Sequence, residues 1–208
     1  MMCEKLHQLF NRFPRFSYPF QEDAIPSNGI YILFEKGERA HGEFDRIVRV
    51  GSHTGQGNLR QRLGEHFFTE NKDRSIFRWN IGCALLNRKS DPFLDQWAIE
   101  MTTKKDREQY AGKIDLNRIS QIEKEVSQII RTTFTFCVFS VDDRQQRLDL
   151  ENHLISTINK CCNCGPSNNW LGKHSPDKRI QVSGLWQVKG LDGSEISDEE
   201  LGFLEQRK

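Results

Sequence analysis

The segment Gly29-Ile30-Tyr31-Ile32-Leu33-Phe34 is β-prone and apolar at odd and even positions alike. Successive side chains of a strand point to opposite faces, so a strand with no polar face has to be covered on both sides. This run therefore reads as a central strand, and the rest of the chain has to supply its two covering layers. After a polar loop opened by Lys36-Gly37-Glu38-Arg39, Arg46-Ile47-Val48-Arg49-Val50-Gly51 returns as a second strand, giving a hairpin with a long connection.

From Asn58 the period becomes helical. Leu59, Leu63 and Phe67 share a face, with Asn58 placed to cap. Residues 70–113 read as an insertion, with Arg74–Leu86 a helix or strand beside the core and Asp95–Met101 a further helix. Ile119, Ile122, Val126 and Ile129 mark an amphipathic helix. Thr133–Val141 is rich in Phe and β-branched residues and reads as a strand, and Asp142 or Asp143 opens a helix to about Lys160. A Gly/Pro/Asn loop (Cys164–Leu171), an extended piece (Val182–Val188) and an acidic helix complete the chain. At the other end, residues 3–12 form a short helix with Leu6, Leu9 and Phe10 on one side, and Phe13–Pro26 an irregular arm. The expected fold class is α/β (an α+β sandwich): a small, mostly antiparallel three-stranded sheet flanked by helices. Its parts are an N-terminal arm (1–28), a central domain (29–190) with its insertion at about 70–113, and an acidic tail (191–208). There are no internal repeats.

Composition bounds the function only loosely. With 36% hydrophobic and 28% charged residues the chain reads as globular. No run approaches the roughly 18 apolar residues of a membrane span, and the N-terminus lacks the apolar stretch of a secretory signal, so a cytoplasmic location with no membrane partner is expected. The net charge is +1, but six acids against two bases leave residues 191–208 at −4 and the remainder at +5. A mildly basic body is compatible with a phosphate-binding groove without specifying one. Six cysteines are present, and Cys161-Cys162-Asn163-Cys164 contains a CxxC with no second CxxC or HxxxH in the sequence to complete a zinc site. Reduced thiols are therefore the expectation, and a zinc-organised interaction protein built on Cys161, Cys162 and Cys164 is the competing one.

One residue breaks the helical pattern. Leu148, Leu154, Ile155 and Ile158 form an apolar arc, and Glu151 falls inside it. A carboxylate on a core-facing stripe is costly unless it pairs with an arginine or ligates a metal, and both readings stand. On the earlier helix, Arg62 and His66 lie at i and i+4: a permanent bidentate cation beside a group that moves protons near neutral pH. Each candidate also has a plain structural role. Tyr31 can be core, Arg49 a surface or ion-pairing residue, His53 a loop residue, Asn168 and Asn169 turn formers, and Trp170 and Trp186 core anchors.

Taken in order, these residues resemble the GIY-YIG nuclease superfamily. Gly29-Ile30-Tyr31 is a literal GIY, and Arg49-Val50-Gly51 stands where YIG would. Asn58–Leu63 with His66 is similar to the family's arginine-bearing helix, Leu150-Glu151 with Leu154-Ile155 to the helix carrying its metal-binding glutamate, and Asn168-Asn169 to its late asparagine. The resemblance covers residues 29–68 and 133–172. It departs at Arg49, which replaces the second tyrosine, and in the longer gap between Tyr31 and Arg49. Arg49 to His53, Trp170-Leu171-Gly172 and Ser183-Gly184-Leu185-Trp186 resemble a bacterial branch of the family, which favours a variant active site.

The resemblance implies a DNA endonuclease that hydrolyses a phosphodiester by in-line attack of water, using one Mg²⁺ (or Mn²⁺) per active site. It implies Glu151 as the metal ligand and Arg62 as the neutraliser of phosphate charge. Tyr31 orients or deprotonates water with Arg49 beside it, His66 or His53 relays protons, and Asn169, rather than Asn168, positions the phosphate or the glutamate. Lys72, Arg74, Arg78 and Asn168 are expected to contact DNA, double-stranded by this reading. Cutting both strands with a single site requires a homodimer or successive nicks. An inactive scaffold that only grips nucleic acid is the alternative, and Arg49 is the residue that supports it.

Overall fold

In the computed structural model, which describes residues 1–207, the elements run α1 (Met2–Phe10), β1 (Phe16–Ser17), β2 (Ile30–Ala40), β3 (Phe44–Gly51), α2 (Leu59–Phe67), α3 (Ile76–Arg88), α4 (Leu94–Trp97), α5 (Lys104–Gln109), α6 (Leu116–Thr133), β4 (Phe134–Phe139), α7 (Arg144–Asn159), α8 (Lys178–Ser183) and α9 (Asp198–Glu205). The sheet is antiparallel, in the order β1-β4-β2-β3. The three expected strands are present, but the segment expected to open a polar loop at Lys36–Arg39 belongs to β2, and the connection to β3 is the short turn 41–43 rather than a long one. The fourth, β1, is only two residues long and pairs Phe16 with Phe136, too short to leave a periodic signal.

β2 is the central strand, and its two faces feed two cores. Ile30, Ile32 and Phe34 pack with Leu6 and Phe10 of α1 and Leu150 and Leu154 of α7. Tyr31 and Leu33 pack on the other side with Leu59 and Leu63 of α2, Phe77 and Ile81 of α3, and Ile122 and Val126 of α6. The alternation that left β2 without a polar face is thus the reason for a three-layer arrangement. The arm and the tail both belong to it. Leu6 and Phe10 have no exposed surface, and Leu201 and Leu204 of α9 close the same core. Their amphipathic faces, rather than their place at the chain ends, decide this.

Helix ends follow local chemistry in part. Asp143 accepts the Gln146 N–H and starts α7, and Ser197 caps α9 reciprocally with Glu200. Asn58 does not cap α2 with its side chain, which donates instead to the Thr54 carbonyl (2.8 Å). The helix expected over Asp95–Met101 is the single turn α4. The piece expected to be extended, Val182–Val188, begins as the end of α8, turns at left-handed Gly184, and joins the sheet by a single backbone–backbone hydrogen bond, in which the Trp186 N–H donates to the Val48 carbonyl (2.7 Å). Trp170 and Trp186 are core anchors. Both are buried, and both indole N–H groups donate to one oxygen of Glu35 (2.8 Å each). Among the described residues no helix is long and apolar enough to cross a membrane.

Candidate active site

The ends of the hairpin and two helices meet at one cavity. The start of β2 lies beside the end of β3, with Tyr31 opposite Gly51, and the chain continues through Ser52 and His53 into α2. A cavity of ≈ 530 Å³ opens there, lined by Ser52, His53, Arg62, Glu65, Glu151 and Lys189, among others. Glu151 and Arg62, 89 positions apart in the sequence, share its wall. Glu151 is half-buried, and the Ser52 hydroxyl donates to its Oε2. Burial pushes its carboxyl above the ordinary value, against the pull of the Ser52 hydrogen bond and of the Arg49 and Arg62 charges. Arg62 donates to Glu65 (3.0 Å) and to the Arg74 carbonyl (2.9 Å), which fixes the guanidinium at the cavity wall.

Behind this wall lies a buried polar chain. Arg49 Nε donates to the Tyr31 hydroxyl oxygen (3.3 Å), and that oxygen lies 2.8 Å from His66 Nε2. His66 Nδ1 is 2.7 Å from Ser75 Oγ. His66 has no exposed surface. Burial, then the nearby Arg62, Arg49 and Arg78 charges, hold its pKa well below the ordinary value. A neutral imidazole accepting the Tyr31 O–H at Nε2 and donating from Nδ1 to Ser75 satisfies every distance. Arg49 also donates to the Trp186 carbonyl and lies 5.5 Å from the Phe77 ring centroid, so it is neither a surface nor an ion-pairing residue.

The depressed pKa of His66 has a consequence with a definite sign. The neutral form is favoured in the fold, so its contribution to stability is complete above the unfolded pKa of roughly 6.5. It is lost as pH falls below that value, because the unfolded chain takes up the proton first. Thermal melts from pH 7.5 to 5 are expected to fall less steeply for His66→Gln than for the parent. Parallel slopes would rule this contribution out.

Two glycines of the GIY and RVG segments are required by close approach. A Cβ at Gly29 would stand 2.1 Å from the Phe139 carbonyl oxygen, and one at Gly51 would stand 2.3 Å from the Tyr31 hydroxyl. Gly51→Ala is therefore expected to displace that hydroxyl from His66 and Arg49 and to cost about 1–3 kcal/mol, as overpacking does. Chemical denaturation measures the cost.

Several expected site residues are placed elsewhere. Tyr31 has no exposed surface and does not line the cavity, so it does not meet solvent water directly as expected. Asn168 and Asn169 are exposed in the loop that Ser167 ties to Glu38, seven residues along β2 from Tyr31 and thus roughly 20 Å away. Neither reaches Glu151. Lys72 and Arg78 are buried and engaged, Lys72 with Asp73 and the Ile99 carbonyl, and Arg78 with Glu123, so neither is available to DNA. The insertion packs against the sheet through Phe77 and Ile81 and takes both cations inward with it. Arg74 alone of the three cations is exposed. His53 lines the cavity, but its Nε2 accepts the Gly29 N–H (3.3 Å), so it supports the backbone at the GIY segment.

The site also holds residues that sequence reasoning passed over. Glu65 carried a signal, lying three residues from Arg62 on α2. Ser52 stood inside the recognised segment. Lys189 carried none, because only the fold returns the chain to the cavity there. Arg147, one turn before Glu151 on α7, is buried, donates to the Val141 carbonyl (2.9 Å), and helps to depress the His53 pKa after burial itself.

The cavity suits a hard divalent cation. A carboxylate offers about four lone-pair sites, of which Ser52 takes only part, and Mg²⁺ is ordinarily held by one or two carboxylates with several waters retained. Glu151 provides such an oxygen donor in an open, polar cavity where Glu65 is the second carboxylate.

An antiparallel sheet with GIY on its central strand, an arginine on the helix after the hairpin and a glutamate on the helix after β4 defines a GIY-YIG fold, which is a nuclease-type fold. A family model described as the GIY-YIG domain matches residues 3–207, and the chain belongs to that family. No match was found among curated proteins or among solved structures.

Proposed function

We propose that this protein is a divalent-metal-dependent DNA endonuclease that hydrolyses phosphodiester bonds. The observation that carries the reading is the meeting of Glu151 and Arg62 at one polar cavity, within a family whose members are generally nucleases. Glu151, with Ser52 holding its Oε2, would hold the ion, with Mg²⁺ or Mn²⁺ as the candidates and one ion per site. When bound, the ion supplies Lewis-acid stabilisation of charge on the phosphate and leaving oxygens.

The residues of the chain divide the remaining tasks. Arg62 is held by Glu65 and the Arg74 carbonyl, so its remaining N–H groups face the cavity as fixed donors for the phosphate, where preorganisation counts most. Lys189 and Arg74 add exposed positive charge for the DNA backbone. Tyr31, Arg49 and His66 act as one unit. Tyr31 donates a hydrogen bond to His66 and accepts one from Arg49, which keeps the Arg49 charge near Glu151. In this reading the arginine at the second motif supplies positive charge where a tyrosine would supply a hydroxyl, and Tyr31 is a positioning residue. His53 fixes the GIY backbone. The mildly basic body and double-stranded DNA as substrate fit together, and cutting of both strands would take a dimer or two successive nicks.

The test is plasmid cleavage with Mg²⁺ or Mn²⁺ by the parent and by Arg62→Ala, with a metal-free control. Metal-dependent nicking or linearisation that Arg62→Ala abolishes is expected. A parent protein that binds DNA but cuts no plasmid, branched or single-stranded substrate would overturn cleavage in favour of a gripping scaffold.

A further inference from the structure

The sequence holds one CxxC and no partner motif, but the fold supplies the partner. Cys3 at the start of α1, His41 in the β2–β3 turn, and Cys161 and Cys164 after α7 place three sulfurs and one ring nitrogen within 4.8 Å of one another. We propose that these four side chains form a structural Zn²⁺ site. The inference does not depend on the nuclease reading, because the site lies ten residues beyond Glu151, about 15 Å along and past α7.

The donor set is three thiols and one imidazole, a combination typical of closed structural zinc sites. With Zn–S near 2.3 Å, tetrahedral geometry asks for sulfur pairs roughly 3.8 Å apart. Cys3 and Cys164 sulfurs are 3.4 Å apart, and Cys161 Sγ is 3.9 Å from His41 Nε2. The remaining donor pairs lie within 4.8 Å, so closing the site needs shifts of no more than about 1 Å. A turn at Cys162-Asn163 brings the two sulfurs of the CxxC to one side.

The neighbours define which atoms are available. His7 lies 3.5 Å from the Cys3 sulfur but is committed elsewhere, with Nδ1 on the Cys3 carbonyl (2.9 Å) and Nε2 accepting the Ile47 N–H (3.2 Å). It therefore buttresses the site, with its ring edge-on to His41 at 5.2 Å between centroids. His41 itself has φ +50°, a left-handed conformation in a turn where Asn or Gly is the ordinary occupant. Cys162 is exposed, while Cys83 and Cys137 are buried and stand outside the cluster.

Such an ion would staple three distant pieces of chain, namely the N-terminus, the hairpin tip and the loop after α7, on one side of the first core. Its effect is on stability, with no part in the reaction.

The experiment is zinc analysis of the full chain purified under a phosphine reductant, followed by Co²⁺ exchange. One zinc per chain is expected, and Co²⁺ should give the intense visible bands of tetrahedral thiolate coordination. His41→Asn, which keeps the turn, and Cys3→Ser should retain zinc at least about tenfold more weakly. Cys162→Ser and Cys83→Ser should bind as the parent does. A reduced, folded parent that carries no zinc and takes up neither metal overturns the site, as does equal retention by Cys162→Ser and His41→Asn.

Discussion

Cleavage by Glu151→Gln is expected to fall by about a thousandfold or more, equivalent to roughly 4 kcal/mol of transition-state stabilisation, while the metal-free protein melts at a higher temperature than the parent. The two effects have one cause. The surroundings of Glu151 favour its neutral form, since burial outweighs the Ser52 hydrogen bond and the two nearby guanidiniums. A carboxylate with a raised folded pKa helps the fold only below its unfolded pKa, and that help is lost as pH rises through the folded value, so at neutral pH its charge is a cost. Glutamine keeps the shape and can still accept from Ser52 but carries no charge, so the cost disappears together with the affinity for a divalent ion. Such a trade between stability and activity is the mark of a functional group, whereas a structural carboxylate would lose stability on neutralisation. Plasmid nicking and calorimetry on the same preparation read both. A lower melting temperature for Glu151→Gln at neutral pH, with cleavage unchanged, would assign Glu151 to structure.

Arg78→Ala is expected to destabilise the protein by about 3–5 kcal/mol, the largest loss of stability among the substitutions considered, through a residue with no access to solvent. Its guanidinium donates to Glu123 Oε2 (2.6 Å from Nη2, 3.0 Å from Nε), to the Glu123 and His66 carbonyls, and to Ser127 Oγ. Truncation leaves Glu123 buried and either charged or forced to protonate, with the Lys72 N–H as its remaining donor. Burial already pushes the Glu123 carboxyl up, even with Arg78 present. Replacing both partners with methionine removes both charges and is expected to recover much of the loss. Urea denaturation of the two single variants and the double variant gives the coupling directly. If the double variant is as unstable as the sum of the singles, the uncompensated charge is not the cause. Because Arg78 also holds the His66 carbonyl, Arg78→Ala should disturb the Tyr31–His66 contact, and cleavage should fall for a reason unrelated to DNA binding.

The contrast between these two residues shows where the sequence was legible. Glu151 interrupts an apolar arc, so periodicity exposed it without knowledge of the fold. Arg78 lies on a helix whose polar and apolar residues do not segregate cleanly, and an arginine on such a helix looks like a surface cation. Its burial depends on Glu123, 45 residues away, reaching it from α6. Asn168-Asn169 failed in the opposite way. The order of motifs suggested a site residue, but the loop is tied to Glu38 at the far end of β2. Order along the chain carries no information about which end of a strand a loop returns to.

The sequence alone determined the central strand, the hairpin, the helices of α2, α6 and α7, and the family, because these rest on local periodicity and on short motifs with fixed spacing. It also determined the two residues that carry the proposed chemistry. Only the tertiary structure decided that Tyr31 faces inward to His66 and Arg49, that the terminal helices complete the first core, and that Ser52, Glu65 and Lys189 share the cavity with Glu151. It alone brought Cys3 and His41 to the CxxC. The physical reason is common to all of these. Periodicity reports which face of an element is buried, and the partner on that face is fixed by packing between segments far apart in the chain.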